Sequence, residues 1–232
     1  MTLELRWFFQ DKVPEEINRW FKKEFKKNEG NSTEVIDSYQ DIYLFNPEVT
    51  YSSIKFRNDT FVIKWRKNTF PIKLNLKNID MVGNVEDWIC WNLEELNASK
   101  EIQLYIDKNN KHPWIKLNKK RQKILYKISN NRKEFLVLEE DISKADCSIE
   151  LSTIMLDKNK DISWWTIAIE LFKKTNNNNN NNDKHESTYE EKQVFEKISK
   201  IFLKNYPHND LIAIRSYGYP QLFSLYENLI KL

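Results

Sequence analysis

Apolar and polar residues alternate with a period of two over much of the chain, which predicts strands whose two faces meet different surroundings. LELRWFF near the N-terminus puts Glu4 and Arg6 on one face and Leu3, Leu5 and Trp7 on the other. IKFRNDTFVIKWRK, residues 54–67, reads as a hairpin in which Ile54 and Phe56 oppose Lys55 and Arg57, while Ile63 and Trp65 oppose Lys64 and Arg66. From the hairpin alone two readings stay open. A sheet with one wet face needs no partner for its cations, whereas Arg and Lys side by side suit phosphate oxygens.

The period changes after Pro14, a residue suited to the first helical position, where Ile17, Trp20, Phe21 and Phe25 form an apolar stripe. Strands are predicted over 36–45, 53–57, 61–67 and 70–76, and a helix, VEDWICWNLEEL, over 85–96. Further strands are predicted over 101–107, 113–126, 134–139, 147–156 and 163–172. The asparagine run 176–182 cannot bury apolar area and predicts a disordered surface loop at about 175–187. Beyond it come an amphipathic helix with Val194, Ile198, Ile201 and Phe202 inward, a short closing segment and a last helix. That remainder is too short for a core of its own, so residues 1–232 are expected to form one domain. Many strands and few helices predict an antiparallel barrel or sandwich.

Composition narrows the functional classes. The 37 basic and 34 acidic residues leave a net charge of only +3, so bulk charge disfavours nucleic acid as a partner and any positive field must be local. The N-terminal MTLELRWFF carries charges where a signal peptide would be apolar, and no stretch reaches the length of a membrane span. Asn31, Asn58 and Asn97 stand in glycosylation sequons, which an Asn-rich chain produces by chance. Cys90 and Cys147 lack metal-ligand spacing and fit reduced thiols, which predicts a cytoplasmic protein with no membrane partner. His112, His185 and His208 fall in polar stretches and offer no support for a nucleophile–histidine site.

Charge recurs on further strand faces. In CSIELST, Glu150 alternates with Cys147, Ile149 and Leu151; in WWTIAIEL, Glu170 shares a face with Thr166 and Ala168; Lys119 and Arg121 share a face in LNKKRQKILY. A lone strand Glu is usually a solvent-facing residue, but repetition over several strands argues for a shared charged surface.

ELRW, DIYL at 41–44, IKFR, IKWR, KKR at 119–121, CSIEL and IAIE together resemble the CYTH family of triphosphate tunnel metalloenzymes. The likeness is to a group of members with an RWF start, a VEDW-like helix, WWTIA and a SYGYP tail, here Ser216 to Pro220. It spans nearly the whole chain apart from the Asn run. The resemblance implies an α+β fold: a closed eight-stranded antiparallel tunnel with helices packed outside its apolar outer faces. It implies that Arg6, Lys55, Arg57, Lys64, Arg66, Lys119 and Arg121 bind phosphate from the lumen. Glu4, Glu150 and Glu170 would serve as catalytic metal ligands for Mg²⁺ or Mn²⁺.

The implied activity is metal-dependent hydrolysis of a linear triphosphate, inorganic or organic. One departure weighs against it. The family's E-x-E-x-K signature is matched here by T-L-E-L-R, with Thr2 at the first acid. A non-catalytic tunnel that binds polyphosphate or a phosphorylated ligand is therefore the alternative expectation. Nucleotide cyclisation also occurs in the family, but no base-recognition residues are legible.

Overall fold

The computed structural model describes residues 1–25, 35–46, 48–57, 60–76, 79–93, 114–128, 135–138, 144–157, 161–172 and 189–227. Its strands are β1 (Thr2–Gln10), β2 (Val35–Leu44), β3 (Ser52–Arg57), β4 (Thr60–Leu76), β5 (Ile79–Leu93), β6 (Trp114–Ile128), β7 (Phe135–Leu138), β8 (Cys147–Leu156) and β9 (Ser163–Phe172). Hydrogen bonding runs β2-β3-β4-β5-β1-β9-β8-β6, and β6 pairs back onto β2 to close an eight-stranded antiparallel barrel. β7 hangs on the edge of β6 outside the ring. Closure gives every ring strand a hydrogen-bonded neighbour on each side, although the β4–β5 hairpin extends beyond its other partners.

The helices are α1 (Glu15–Phe25), α2 (Tyr189–Leu203) and α3 (Tyr219–Leu225), with a 3₁₀ turn at Ala213–Arg215. α1 and α2 lie on the outer face, where Ile17, Trp20, Phe21, Phe195, Ile198, Phe202 and Leu203 pack on Leu3, Leu5, Trp7, Ile149, Leu151, Ile167 and Ile169. Val194 is partly buried against the same core, as expected, but Ile201 faces solvent at 42% exposure. α3 does something different. Leu222 and Phe223 pack with Phe8, Tyr43, Phe45, Leu117, Ile154 and Trp164 in a second core that stops one end of the barrel. The expected helices outside are therefore two; the third is a plug.

Among the described residues, Trp65, on an outward face expected to lie under the helices, remains 46% exposed, and Tyr51 and Trp91 nearby remain 43% and 49% exposed.

Residues 85–96 were expected to be helical, but Val85–Leu93 belong to β5, paired with β4 and β1. VEDWICW satisfies either period, and two neighbouring strands satisfy its backbone groups better than an isolated helix would. The expected strands 61–67 and 70–76 are one strand, β4, interrupted by a bulge between Arg66 and Asn68. Lys67 is the additional residue, and it reverses the alternation. Lys64 and Arg66 point inward before it, while Ile72 and Leu74 join the outer core after it. The expected strand 101–107, the Asn run and the side chain of Phe25 lie outside the described residues. Among those residues, no helix is long and apolar enough to cross a membrane.

Candidate functional site

Inward positions of the barrel enclose a cavity of about 360 Å³. All the sequence-predicted site residues except Arg66 line it: Glu4 and Arg6 from β1, Lys55 and Arg57 from β3, Lys64 from β4, Lys119 and Arg121 from β6, Glu150 from β8 and Glu170 from β9. Arg66 points inward but gives its guanidinium to Glu86 beside Trp88, so it is not part of the cavity wall. The wall thus carries six cations (Arg6, Lys55, Arg57, Lys64, Lys119, Arg121) and three carboxylates (Glu4, Glu150, Glu170). Asp41 stands directly behind it. Counting Asp41, the excess is still two positive charges.

Three carboxylate centres organise these charges. Arg6 is 4% exposed and bridges two acids, donating from Nε to Glu4 Oε1 at 2.7 Å and from Nη1 to Glu150 Oε1 at 3.0 Å. The same Nη1 donates to Thr166 Oγ1 at 2.9 Å. Lys64 lies 3.6 Å from Glu4 Oε2, and Arg121 lies 3.9 Å from Glu150 Oε2 while bonding Asp37.

At the second centre, fully buried Asp41 accepts a fork from Arg57, with both N–O distances 2.7 Å, and ion-pairs with Lys119 at 2.8 Å and Lys55 at 3.2 Å. At the third, Glu170 accepts from Lys123 and from Ser148 Oγ. Depth varies along the wall. Arg57 and Lys64 keep 29% and 27% side-chain exposure, whereas Lys55 and Lys119 keep 7% and 2%. A chain-like anion reaching inward would meet these cations in succession.

Asp41, Glu86 and Lys123 were not singled out from the sequence. An Asp between Tyr39 and Tyr43 reads as a wet strand face, and Glu86 was concealed by the helical reading of its segment. Lys123 continues the alternation of Lys119 and Arg121, and that signal was available.

Register explains why so many counter-charges are needed. Glu4 is directly opposite Glu86 on β5 and directly opposite Glu170 on β9, so three carboxylates stand side by side. Like charges at opposed positions destabilise a sheet, and here Arg66, Arg6, Lys64 and Lys123 offset them. Among the described residues, no group of three or more His, Cys, Asp and Glu is gathered closely enough to hold a metal ion. The carboxylate oxygens face these cations instead. Thr2 shares the inward face with Glu4, and its buried Oγ1 has no hydrogen-bond partner.

Burial alone would push Glu170 up, but Lys123, with help from Lys64 and Arg6, more than offsets it and holds the carboxyl down at about 2. A carboxyl depressed in the folded state contributes stability that is complete above its unfolded pKa, roughly 4.3, and lost as pH falls through the folded value. The wild-type protein should therefore lose stability steeply between about pH 4 and pH 2, and Glu170→Gln should flatten part of that slope. Urea midpoints measured at pH 6, 4 and 2.5 for both proteins check this, and parallel slopes would refute it.

The plug closes the deep end of the cavity with Gly218, Tyr219 and Pro220. The ring of Tyr219 lies 3.6 Å from Lys119 Nζ and 5.3 Å from the Arg6 guanidinium, a cation–π arrangement. Gly218 sits where a Cβ would fall 2.7 Å from Glu86 Oε2 and 3.0 Å from the Trp88 ring, so only glycine lets α3 come this close.

Comparison of the chain with models of known families and with curated proteins gives no match, so the functional reading rests on this geometry and on the resemblance described above.

Proposed function

We propose that the protein binds a linear triphosphate in the barrel lumen and hydrolyses it with the aid of a divalent metal ion. The observation that carries this reading is the excess of cations on the wall of the barrel cavity. Buried positive charge without enough protein counter-charge favours a multiply charged anion, and the mixture of guanidinium and ammonium groups suits phosphate oxygens. The cavity lies at the small end of the range for ligand sites.

In this reading Arg57, Lys64 and Arg121 receive the ligand near solvent, and Arg6, Lys55 and Lys119 hold its inner phosphate. Glu4, Glu150 and Glu170 supply hard oxygen donors of the kind that suit Mg²⁺ or Mn²⁺. A metal ion held by these carboxylates would supply positive charge to offset the charge that develops on the phosphate. Phosphate drawing Arg6 and Lys64 away from Glu4 and Glu150 would free carboxylate oxygens, so ligand and metal would favour each other's binding.

A second reading is binding without turnover. Thr2 favours it, because a carboxylate is missing from the inward face of β1 beside Glu4. The two readings separate in one experiment: calorimetry with tripolyphosphate together with phosphate release in Mg²⁺ or Mn²⁺. Binding with no release at saturating metal supports the second reading.

The geometry also separates two arginines that look equivalent in sequence. Arg57→Ala should weaken tripolyphosphate binding by about 10–100-fold, the loss of a charge-assisted bond. Arg66→Ala should change affinity only a few-fold, because its guanidinium turns to Glu86 and does not line the cavity, whereas that of Arg57 does. Equal losses in both variants would place Arg66 on the ligand.

A further inference from the structure

An acid at the centre of an anion site is unexpected, since its charge repels the ligand. Asp41 is 0% exposed, and three cations from two strands converge on it: Lys55 and Arg57 from β3, Lys119 from β6. We propose that Asp41 is a positioning residue, which locks these three side chains into one array facing a phosphate ligand and offsets their mutual repulsion. This inference rests on the reading of the lumen as a polyanion site.

The geometry first. Arg57 is fixed by its two-pronged bond to Oδ1 and Oδ2, and Oδ2 also takes Lys119, Lys55 and the Tyr43 hydroxyl at 3.1 Å. Lys119 in addition donates to the Tyr43 hydroxyl at 2.7 Å. The four side chains that reach this carboxylate all border the cavity. A single buried anion holds more positive charge than it cancels.

The charges facing the lysines make Asp41 necessary. Both are buried, and burial disfavours an ammonium. Of the other groups near them, Arg57 and Arg6 repel Lys119, while Arg57 and Lys64 repel Lys55. Tyr39, Tyr43 and Tyr219 stay neutral, their hydroxyls pushed up chiefly by burial. Among the described groups that act most strongly on the two lysines, Asp41 is the one that stabilises their charged form. With Asp41 present, burial pulls Lys119 down to about 7. Lys55 is held well below its ordinary value by the same burial. Removing Asp41 would lower both lysines further and take away the anion that aims the three side chains, so the array would hold polyanions less well.

The sign follows. A lysine with a lowered pKa is charged below that value and loses its charge as pH rises through it, so phosphate binding should weaken from pH 6 to pH 8.5 and take up protons. Asp41→Asn should move this loss to lower pH. The test is calorimetry with tripolyphosphate over pH 5.5–9 on wild type, Asp41→Asn and Lys119→Arg. The arginine stays charged throughout, so dividing by its affinity removes the ligand's own titration. Relative to Lys119→Arg, wild-type affinity should fall by about tenfold over that range, the worth of one charge-assisted contact. In Asp41→Asn the same fall should begin at least a pH unit earlier.

If Asp41→Asn does not fold, Asp41→Asn with Lys55→Met removes a buried cation together with the anion, and its curve should show the same displacement. An Asp41 variant whose curve is offset uniformly but parallel to wild type overturns the inference and leaves the tunnel reading intact. A wild-type curve parallel to that of Lys119→Arg does the same. Absence of tripolyphosphate binding to wild type at every pH overturns the tunnel reading itself.

Discussion

Arg6→Met should lower the free energy of unfolding by about 3–5 kcal/mol, the cost of leaving buried charges without their partner. Methionine fills a similar length, so the loss is one of charge and donors more than of volume. Glu4 and Glu150, 4% and 5% exposed, would each lose their closest cation. Lys64 and Arg121 are already 3.6 and 3.9 Å away from these acids and can compensate only in part. Arg6→Lys should lose less, because one ammonium keeps the charge but cannot fork between two carboxylates. Urea unfolding at pH 7 measures the loss. An unchanged midpoint at pH 7 would mean that other groups hold Glu4 and Glu150.

Phe223→Ala should cost about 3–5 kcal/mol as well, by a different mechanism, the removal of a large ring from a packed core. Phe223 is 3% exposed, and its ring meets Tyr43 edge-on with centroids 5.0 Å apart. Tyr43 also accepts the Lys119 hydrogen bond, so loosening α3 transmits directly to the charged wall. Tripolyphosphate affinity should fall together with stability. Leu225 on the same helix is 58% exposed, and Leu225→Ala should stay within about 0.5 kcal/mol of wild type. A Phe223→Ala protein as stable as wild type would mean that α3 is dispensable as a stopper.

The barrel was legible where one strand face is charged and the other apolar, as in β1, β3, β8 and β9, because burial on both faces of a ring strand preserves the alternation. It was illegible where two periods fit the same residues. Val85 to Leu93 answer to either, and only the partners Thr2 to Leu5 on one side and Phe61 to Phe70 on the other decide for a strand. The bulge after Arg66 also broke the count of faces, so one long strand read as two. For the site, most inward cations were found by parity. Two of the acids that hold them were not: Asp41 and Glu86 have no local pattern to distinguish a buried counter-charge from a wet one. Arg66 shows the complementary failure, since facing inward does not ensure facing the cavity. Pairing across the barrel is a property of closure, and sequence neighbours do not encode it.

Because α3 stops one end, a ligand in the proposed function would enter and leave on the side away from Tyr219. A molecule cleaved inside the lumen would leave two fragments in a queue, and the piece nearer the solvent must depart before the piece against Tyr219. Release would be ordered, and the inner fragment would be the last to vacate the chamber and the one to compete with the next arrival. Length selection follows as well. A chain longer than the chamber cannot thread through and must trail out past Arg57 and Lys64, so additional units beyond the first few would add little grip. Affinity plotted against chain length would rise and then level off, with the plateau reporting the depth of the chamber.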